Sequence, residues 1–316
     1  MRKADVLGMA KPVSKRRSWL LLSLLLFCAG IPPATAGGPA DFTYRTNASE
    51  VRLNFSALDQ NNHGVATLQA SDFAIVDKDV IVRNFQSFTR TYWTKLEIAI
   101  VVDTSESARP RFRQEVADSL ELISQTTGIP DENLSIFFFD GTRPAMLCGG
   151  DCRVSRAPER LPATRAHGLT PLFDTLVFVS DFLVRYDDVH AQKVILLFSD
   201  GVDTVSRNSL GNAINALLKG EIQLDCIDLN KPADNSPGAG VLQNLAGTSG
   251  GRYFSPPNGG TQALNVILEG FRASYEVTYR LPSHSLGYHE VRILPTHNVN
   301  LQFHGRSGYY YPNQAQ

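Results

Sequence analysis

Asp103, Ser105 and Ser107 stand on alternate positions directly after the apolar run Ile98-Ala-Ile-Val-Val102. Such a run, rich in β-branched residues and bounded by polar ones, reads as a buried strand. Carboxylate and hydroxyl oxygens set out just past its end suit a hard divalent cation, which takes oxygen donors of several kinds together. Two more oxygen donors stand far off in the chain. Thr170 lies in Gly168-Leu-Thr-Pro-Leu172, and Asp200 lies in Ser199-Asp-Gly201, after the apolar run Val194-Ile-Leu-Leu-Phe198. The set holds no His or Cys, which favours Mg²⁺, Mn²⁺ or Ca²⁺ over zinc. With only two carboxylates, the shell keeps waters or an open position that a partner's carboxylate can fill.

These residues need a scaffold that brings them to one edge. Over residues 95–272 apolar runs of strand length alternate with helical patterns. A helix from Pro110 carries Phe112, Val116, Leu120 and Ile123 on one face, the spacing of a helix packed on a sheet. Leu134 to Phe139 is a second buried strand, and Arg143 to Leu147 is an antiparallel edge strand. After a polar loop reaching His167, Thr170 as N-cap and Pro171 as first helical residue open the next helix. Helices follow at Ser209–Leu218, near Gly240–Leu245, and through Leu264, Ile267, Leu268 and Phe271. Strands fall at Ile222–Leu229 and Arg252–Phe254. The alternation predicts an α/β fold with a doubly wound, mostly parallel Rossmann-like sheet. In such sheets ligands bind beyond the carboxyl ends of the strands. Asp103, Thr170 and Asp200 all map to that edge.

The flanks, residues 37–94 and 273–316, read as strands only. Val51, Leu53, Phe55 and Ala57 alternate with polar residues. Phe73–Val76 and Val80–Phe88 follow, and on the far side Tyr275–Tyr279, His289–Ile293, Val299–Phe303 and an aromatic tail from Gly308 to Pro312. Short isolated sheets are marginal. The two flanks are therefore expected to pair with each other in a small β-sandwich, with the α/β domain inserted between them.

Composition narrows the function classes. The chain has 316 residues, 43% hydrophobic and 19% charged, with a net charge of −1. Residues 1–36 carry six basic residues and one acid; the rest holds 24 basic against 30 acidic residues. A mildly acidic body gives no reason to expect nucleic-acid binding. The basic start, the apolar stretch Trp19–Ile31 and Ala34-Thr-Ala36 form a secretory signal pattern with cleavage before Gly37. The expected location is secreted, periplasmic or cell-envelope, with no membrane span after cleavage. In an oxidising compartment Cys148 and Cys152 suit a small loop disulfide. Cys226 reads as a buried small hydrophobe.

Asp103-Thr-Ser-Glu-Ser107, Gly168-Leu-Thr-Pro-Leu172 and Ser199-Asp-Gly201 together resemble the metal-ion-dependent adhesion site of von Willebrand factor type A domains. The resemblance covers residues 95–272, and the flanks look like a group of secreted bacterial proteins that carry this domain. It implies that Asp103, Ser105, Ser107, Thr170 and Asp200 hold a divalent cation, Mg²⁺ first, with Mn²⁺ or Ca²⁺ as substitutes. Asp203 would support the site from beside it. The implied activity is adhesion: capture of an acidic side chain of a protein partner, without catalysis. The competing reading is an envelope scaffold in which the metal only stabilises the fold. A phosphatase of the haloacid dehalogenase type would need a second acid where Ser105 stands. Neither a Gly-x-Ser-x-Gly nucleophile elbow nor a Walker loop is read in the chain.

Overall fold

The computed structural model describes residues 50–91, 96–105, 133–141, 143–149, 169–185, 191–230, 237–255 and 260–311. The helix expected from Pro110, the loop to His167, the N-terminal signal pattern, Glu106, Ser107 and Cys152 lie outside them.

Four strands precede the α/β region: β1 (Glu50–Leu58), β2 (Phe73–Asp77), β3 (Val80–Val82) and β4 (Ser87–Arg90). The α/β region runs β5 (Leu96–Asp103), β6 (Leu134–Asp140), β7 (Arg143–Gly149), α1 (Leu172–Val184), β8 (Gln192–Ser199), α2 (Leu210–Lys219), β9 (Ile222–Asp228), α3 (Pro237–Ser249), β10 (Tyr253–Phe254) and α4 (Gly260–Arg272). Four strands close the chain: β11 (Ser274–Arg280), β12 (Gly287–Pro295), β13 (Gln302–Gly305) and β14 (Gly308–Tyr311).

The central sheet has the order β10-β9-β8-β5-β6-β7. All its pairings are parallel except β6 with β7. The chain enters at β5, builds outward through β6 and β7, then returns to the other side of β5 with β8. The order therefore reverses between β5 and β8, and crossovers leave in opposite directions there, opening a crevice at the carboxyl ends.

Burial on both faces explains why β5 is an unbroken apolar run. Leu96, Ile98, Ile100 and Val102 enter one core with Leu264, Ile267, Leu268 and Phe271 of α4. Ala99 and Val101 enter the other, with Leu172, Leu176 and Val179 of α1, Leu217 of α2 and Leu242 and Leu245 of α3. At period two, a one-residue slip of β5 would exchange the two sets and bring Asp103 out of place.

The flanks form two antiparallel four-stranded sheets, ordered β13-β1-β11-β4 and β14-β12-β2-β3. β1 lies between β11 and β13, and β2 pairs with β12, so each sheet mixes strands from both ends of the chain. Between the sheets, Leu53, Phe55, Phe73, Ile75, Tyr275 and Val277 make a third core. The aromatic tail closes the second sheet as β14, paired with β12.

Four boundaries differ from the sequence reading. Val80–Phe88 is two strands in different sheets, because the chain crosses from one layer to the other between Val82 and Ser87. The helix expected near Gly240–Leu245 runs from Pro237 to Ser249. The strand expected at Val299–Phe303 starts only at Gln302, after Leu301 N–H closes a turn onto the Asn298 carbonyl. Thr170 is not an N-cap: Pro171 holds that position, without a side-chain cap.

Candidate functional site

Asp103 ends β5 and Ser199 ends the neighbouring parallel strand β8, so the switch point places them side by side. Ser199 Oγ donates to Asp103 Oδ2 at 2.7 Å and accepts from Gly201 N–H at 3.0 Å. Ser105 N–H donates to Asp103 Oδ1 at 2.9 Å. This bond folds the chain back after the strand and holds Ser105 against the carboxylate. Thr104 ties the same turn to β6 through the Phe139 carbonyl, by both its N–H and its Oγ1 at 3.0 Å.

Asp200 follows directly. Its Oδ1 accepts from Val202 N–H at 3.0 Å, and its own carbonyl accepts from Asn230 Nδ2 at 2.9 Å. Gly201 makes the turn possible, with φ +77°. A Cβ there would lie 2.3 Å from the Gly238 carbonyl oxygen at the start of α3. The Asp200 loop and α3 thus touch backbone to backbone, and both positions need glycine.

Thr170 joins by another route. Its N–H donates to Thr204 Oγ1 at 2.7 Å, and Thr204 N–H donates to the Thr170 carbonyl at 2.9 Å. The segment after Asp200 also caps α1. Asp203 Oδ1 accepts from Phe173 N–H at 3.2 Å, and Ser206 Oγ accepts from Asp174 N–H at 3.0 Å. Asp174 returns the tie, accepting from Arg207 N–H at 3.1 Å and Asn208 N–H at 2.8 Å. Burial works against the Asp174 carboxylate, but these N–H donors outweigh it and hold its proton affinity below the ordinary value. The orphan donors of the first turn are met by a distant loop, which is why Thr170 need not cap the helix. Asp203 has a definite place in this: it fastens the Asp200 loop to α1.

Electrostatics single the site out. Asp103, Ser105, Thr170 and Asp200 are at most 2% exposed. Among the described residues, no Lys, Arg or His pairs with either carboxylate. Burial pushes the Asp103 carboxyl up to about 6, and the Asp200 charge adds to this, against the bonds from Ser105 and Ser199. Buried charges are normally paired or hold a metal. Among the described residues no three His, Cys, Asp or Glu side chains converge. A cation here would therefore draw on hydroxyls as well as the two carboxylates, and that donor set fits a hard divalent ion. Of the five expected ligands, Asp103, Ser105 and Asp200 stand together here, Thr170 is tied by its backbone to Thr204 on the segment after Asp200, and Ser107 falls outside the described residues.

Sequence reasoning missed Ser199 and Thr204 as supports; their roles depend on strand pairing and loop return, which no local spacing carries. It also passed over Gly247-Thr-Ser-Gly-Gly251, which does spell Gly-x-Ser-x-Gly. That serine ends helix α3 instead of opening one, and Ser249 Oγ is buried, donating to the Ala246 carbonyl and accepting from Leu224 N–H. In the sandwich, Ser285, His289 and Asp77 line up in the order of a hydrolytic triad. Yet His289 Nε2 is 2.7 Å from the Ser285 carbonyl and 3.4 Å from its hydroxyl, so it donates to the former. Asp77 Oδ2 also accepts from the Tyr279 and Tyr309 hydroxyls at 2.9 and 2.6 Å, a fully engaged structural cluster. Cys148 is disulfide-bonded, with its partner outside the described residues; Cys226 is free and buried.

No protein-family model and no curated protein sequence matches the chain. Among solved structures it is similar to manganese-loaded TRAP protein of Plasmodium vivax, at 18% identity and TM-score 0.45, covering 71% of this chain and 98% of that one. It is similar to an aerotolerance-related membrane protein from Bacteroides fragilis, at 12% identity and TM-score 0.42, covering 56% and 98%. A third is proximal thread matrix protein 1 from the mussel byssus, with a zinc-occupied MIDAS motif, at 14% identity and TM-score 0.44, covering 55% and 47%. These matches are loose in sequence and superposition, and the architecture rests on the strand order itself. Reversal of that order between β5 and β8 and the antiparallel edge strand β7 give the described part of residues 96–272 a doubly wound, mostly parallel α/β sheet, the fold class that the resemblance to von Willebrand factor type A domains implied.

Proposed function

We propose that the chain is a metal-dependent protein-binding module. Asp103, Ser105, Ser107, Thr170 and Asp200 hold one divalent cation, with Mg²⁺ the natural occupant and Mn²⁺ or Ca²⁺ able to replace it. The observation that carries this reading is the pair of buried carboxylates with no cationic side chain beside them among the described residues. The metal supplies a positive centre with a coordination position to spare, and an acidic side chain of a partner protein occupies it. The role of this chain's residues is to fix oxygen positions. Ser199 orients Asp103, Gly201 and Gly238 set the Asp200 turn, and Thr204 and Asp203 hold the Thr170 side. The reading assigns no catalytic residue. Export through the N-terminal signal pattern, with work in the envelope or outside the cell, belongs to the same proposal. Among the described residues no helix is long and apolar enough to cross a membrane.

One observation favours a second reading. The four described ligands are almost wholly buried, as suits a structural metal that meets no partner. Water-proton relaxation of the Mn²⁺-loaded protein separates the two. The adhesion reading expects fast-exchanging water on the metal, displaced when a glutamate-bearing peptide is added. A bound Mn²⁺ with no exchangeable water, indifferent to the peptide, supports the scaffold reading and removes the capture step.

A further inference from the structure

Three neighbouring strands of the central sheet end on an aspartate. In the order β9-β8-β5, Asp228 closes β9, Asp200 directly follows β8, and Asp103 closes β5. Two of these belong to the proposed metal site. Asp228 does not. Yet it is only 2% exposed, and among the described residues no Lys, Arg or His pairs with it. A third carboxylate buried at the same sheet edge is unfavourable unless its oxygens are met by donors.

Among the described residues two side chains meet it. Asp228 Oδ1 accepts from the Asn230 backbone N–H at 2.8 Å and from Asn230 Nδ2 at 2.7 Å, and Oδ2 accepts from the Tyr253 hydroxyl at 2.5 Å. Tyr253 stands on β10, which pairs with β9 on the side away from β8. Asp228 is thus fixed from one side by Tyr253 and presents its other oxygen to Asn230.

Asn230 carries the connection onward. Its Nδ2 also donates at 2.9 Å to the Asp200 carbonyl. Both neighbours of this nitrogen are acceptors, a carboxylate and a peptide oxygen, so the amide must sit with its nitrogen toward them. Its two N–H groups are then both engaged, and the side chain spans from the end of β9 to the Asp200 turn as a strut. The same carbonyl oxygen is confined from α3 as well, since a Cβ on Gly238 would lie 2.1 Å from it.

The direction of this carbonyl governs the turn. Its peptide joins Asp200 to Gly201, which has φ +77° and donates its N–H to Ser199 Oγ. Two residues on, Val202 N–H holds the Asp200 carboxylate at 3.0 Å. Without the Asn230 amide the carbonyl loses its donor in a buried setting. Rotating the peptide toward water relieves that, and the rotation carries the Asp200 side chain with it.

We infer that Asn230 is a positioning residue of the metal site: anchored on Asp228, its amide holds the Asp200 peptide so that the carboxylate keeps its place beside the cation. The inference rests on the proposed metal site and adds to it two residues that touch no metal. Groups that orient a ligand from behind are typically worth about 10–100-fold in metal affinity.

Two measurements test it, the first without metal. In chelator, hydrogen exchange of the Gly201 and Val202 amides reads the turn itself. Asn230→Ala, and the isosteric Asn230→Asp, whose carboxylate offers the carbonyl no donor, should speed exchange there about tenfold or more relative to the amides of β5. Calorimetry with Mg²⁺ and Mn²⁺ should then show affinity lowered about 10–100-fold in both variants. His289→Gln, which loosens the sandwich, should leave the affinity as it is. If the wild type binds these ions and both Asn230 variants match its affinity, or if exchange in the turn is unchanged, the positioning role is wrong and the metal site stands. An equal loss of affinity in His289→Gln would show that general stability is being read, and would overturn the role too. A wild type that binds no ion overturns the metal site itself, and this role with it, whatever the exchange shows.

Discussion

Replacing Asp103 by Asn should stabilise the metal-free protein while destroying its metal site. Burial raises the Asp103 carboxyl from 3.8 to about 6. Between those values the folded state binds a proton that the unfolded state has released, so stability falls as pH rises through this window. At about 1.4 kcal/mol per pH unit, the buried carboxylate costs the metal-free fold about 3 kcal/mol above pH 6. Asparagine keeps the acceptor for Ser105 N–H and places an amide against Ser199 Oγ, which already accepts from Gly201. The Ser199 hydroxyl then loses its own acceptor, at a cost of about 1 kcal/mol. The net gain is about 2 kcal/mol at pH 7.5, or roughly 4–8 °C in Tm. It should vanish below about pH 4, where the wild-type carboxyl is protonated in both states. Denaturant unfolding in chelator from pH 4 to 8, both proteins side by side, reads the effect. A wild type flat across the window, or Asp103→Asn less stable at pH 7.5, refutes the claim that an uncompensated charge is buried there.

Other consequences can be measured separately. Gly201→Ala forces a Cβ to 2.3 Å from the Gly238 carbonyl at φ +77°; it should cost roughly 1–3 kcal/mol and weaken metal binding by moving Asp200, read by denaturation and calorimetry. His289→Gln removes the buried ring that stands 3.3 Å from Asp77 Oδ1 and donates to the Ser285 carbonyl; with the Tyr279 and Tyr309 hydroxyls still on the carboxylate, it should destabilise by about 1–3 kcal/mol in the same denaturation assay, leaving metal affinity unchanged. His304, held neutral down to about 4 in the fold, binds fewer protons folded than unfolded between 4 and 6.5. Its contribution is therefore full above 6.5 and lost as pH falls through 4. His304→Gln should flatten that acid limb of the stability curve, read by denaturant unfolding from pH 4 to 7.

Much of this was legible in the chain because burial leaves a mark on sequence. β5 is apolar on both faces, so it announces a central strand, and an aspartate at its end can only lie at the sheet edge. Thr170 and Asp200 could be assigned to that edge from topology alone. The alternation in the flanks likewise announced a sandwich. What stayed hidden depended on non-local pairing. Val80–Phe88 keeps one alternation while changing sheets, so its break at Arg83–Gln86 carries no local signal. Thr170 looks like a cap because Pro follows it, yet Asp203 and Ser206 do the capping from some thirty residues away. Asp77 and His289 stand far apart in the chain, and neither residue's surroundings announce the other.

Calorimetric titration of Mg²⁺, Mn²⁺ and Ca²⁺ into the purified protein, with Asp103→Ala beside it, tests the central claim most directly. The account predicts saturable binding of one ion per chain, absent in the variant. No binding of any of the three ions by a folded wild type, or equal binding by the variant, would contradict it.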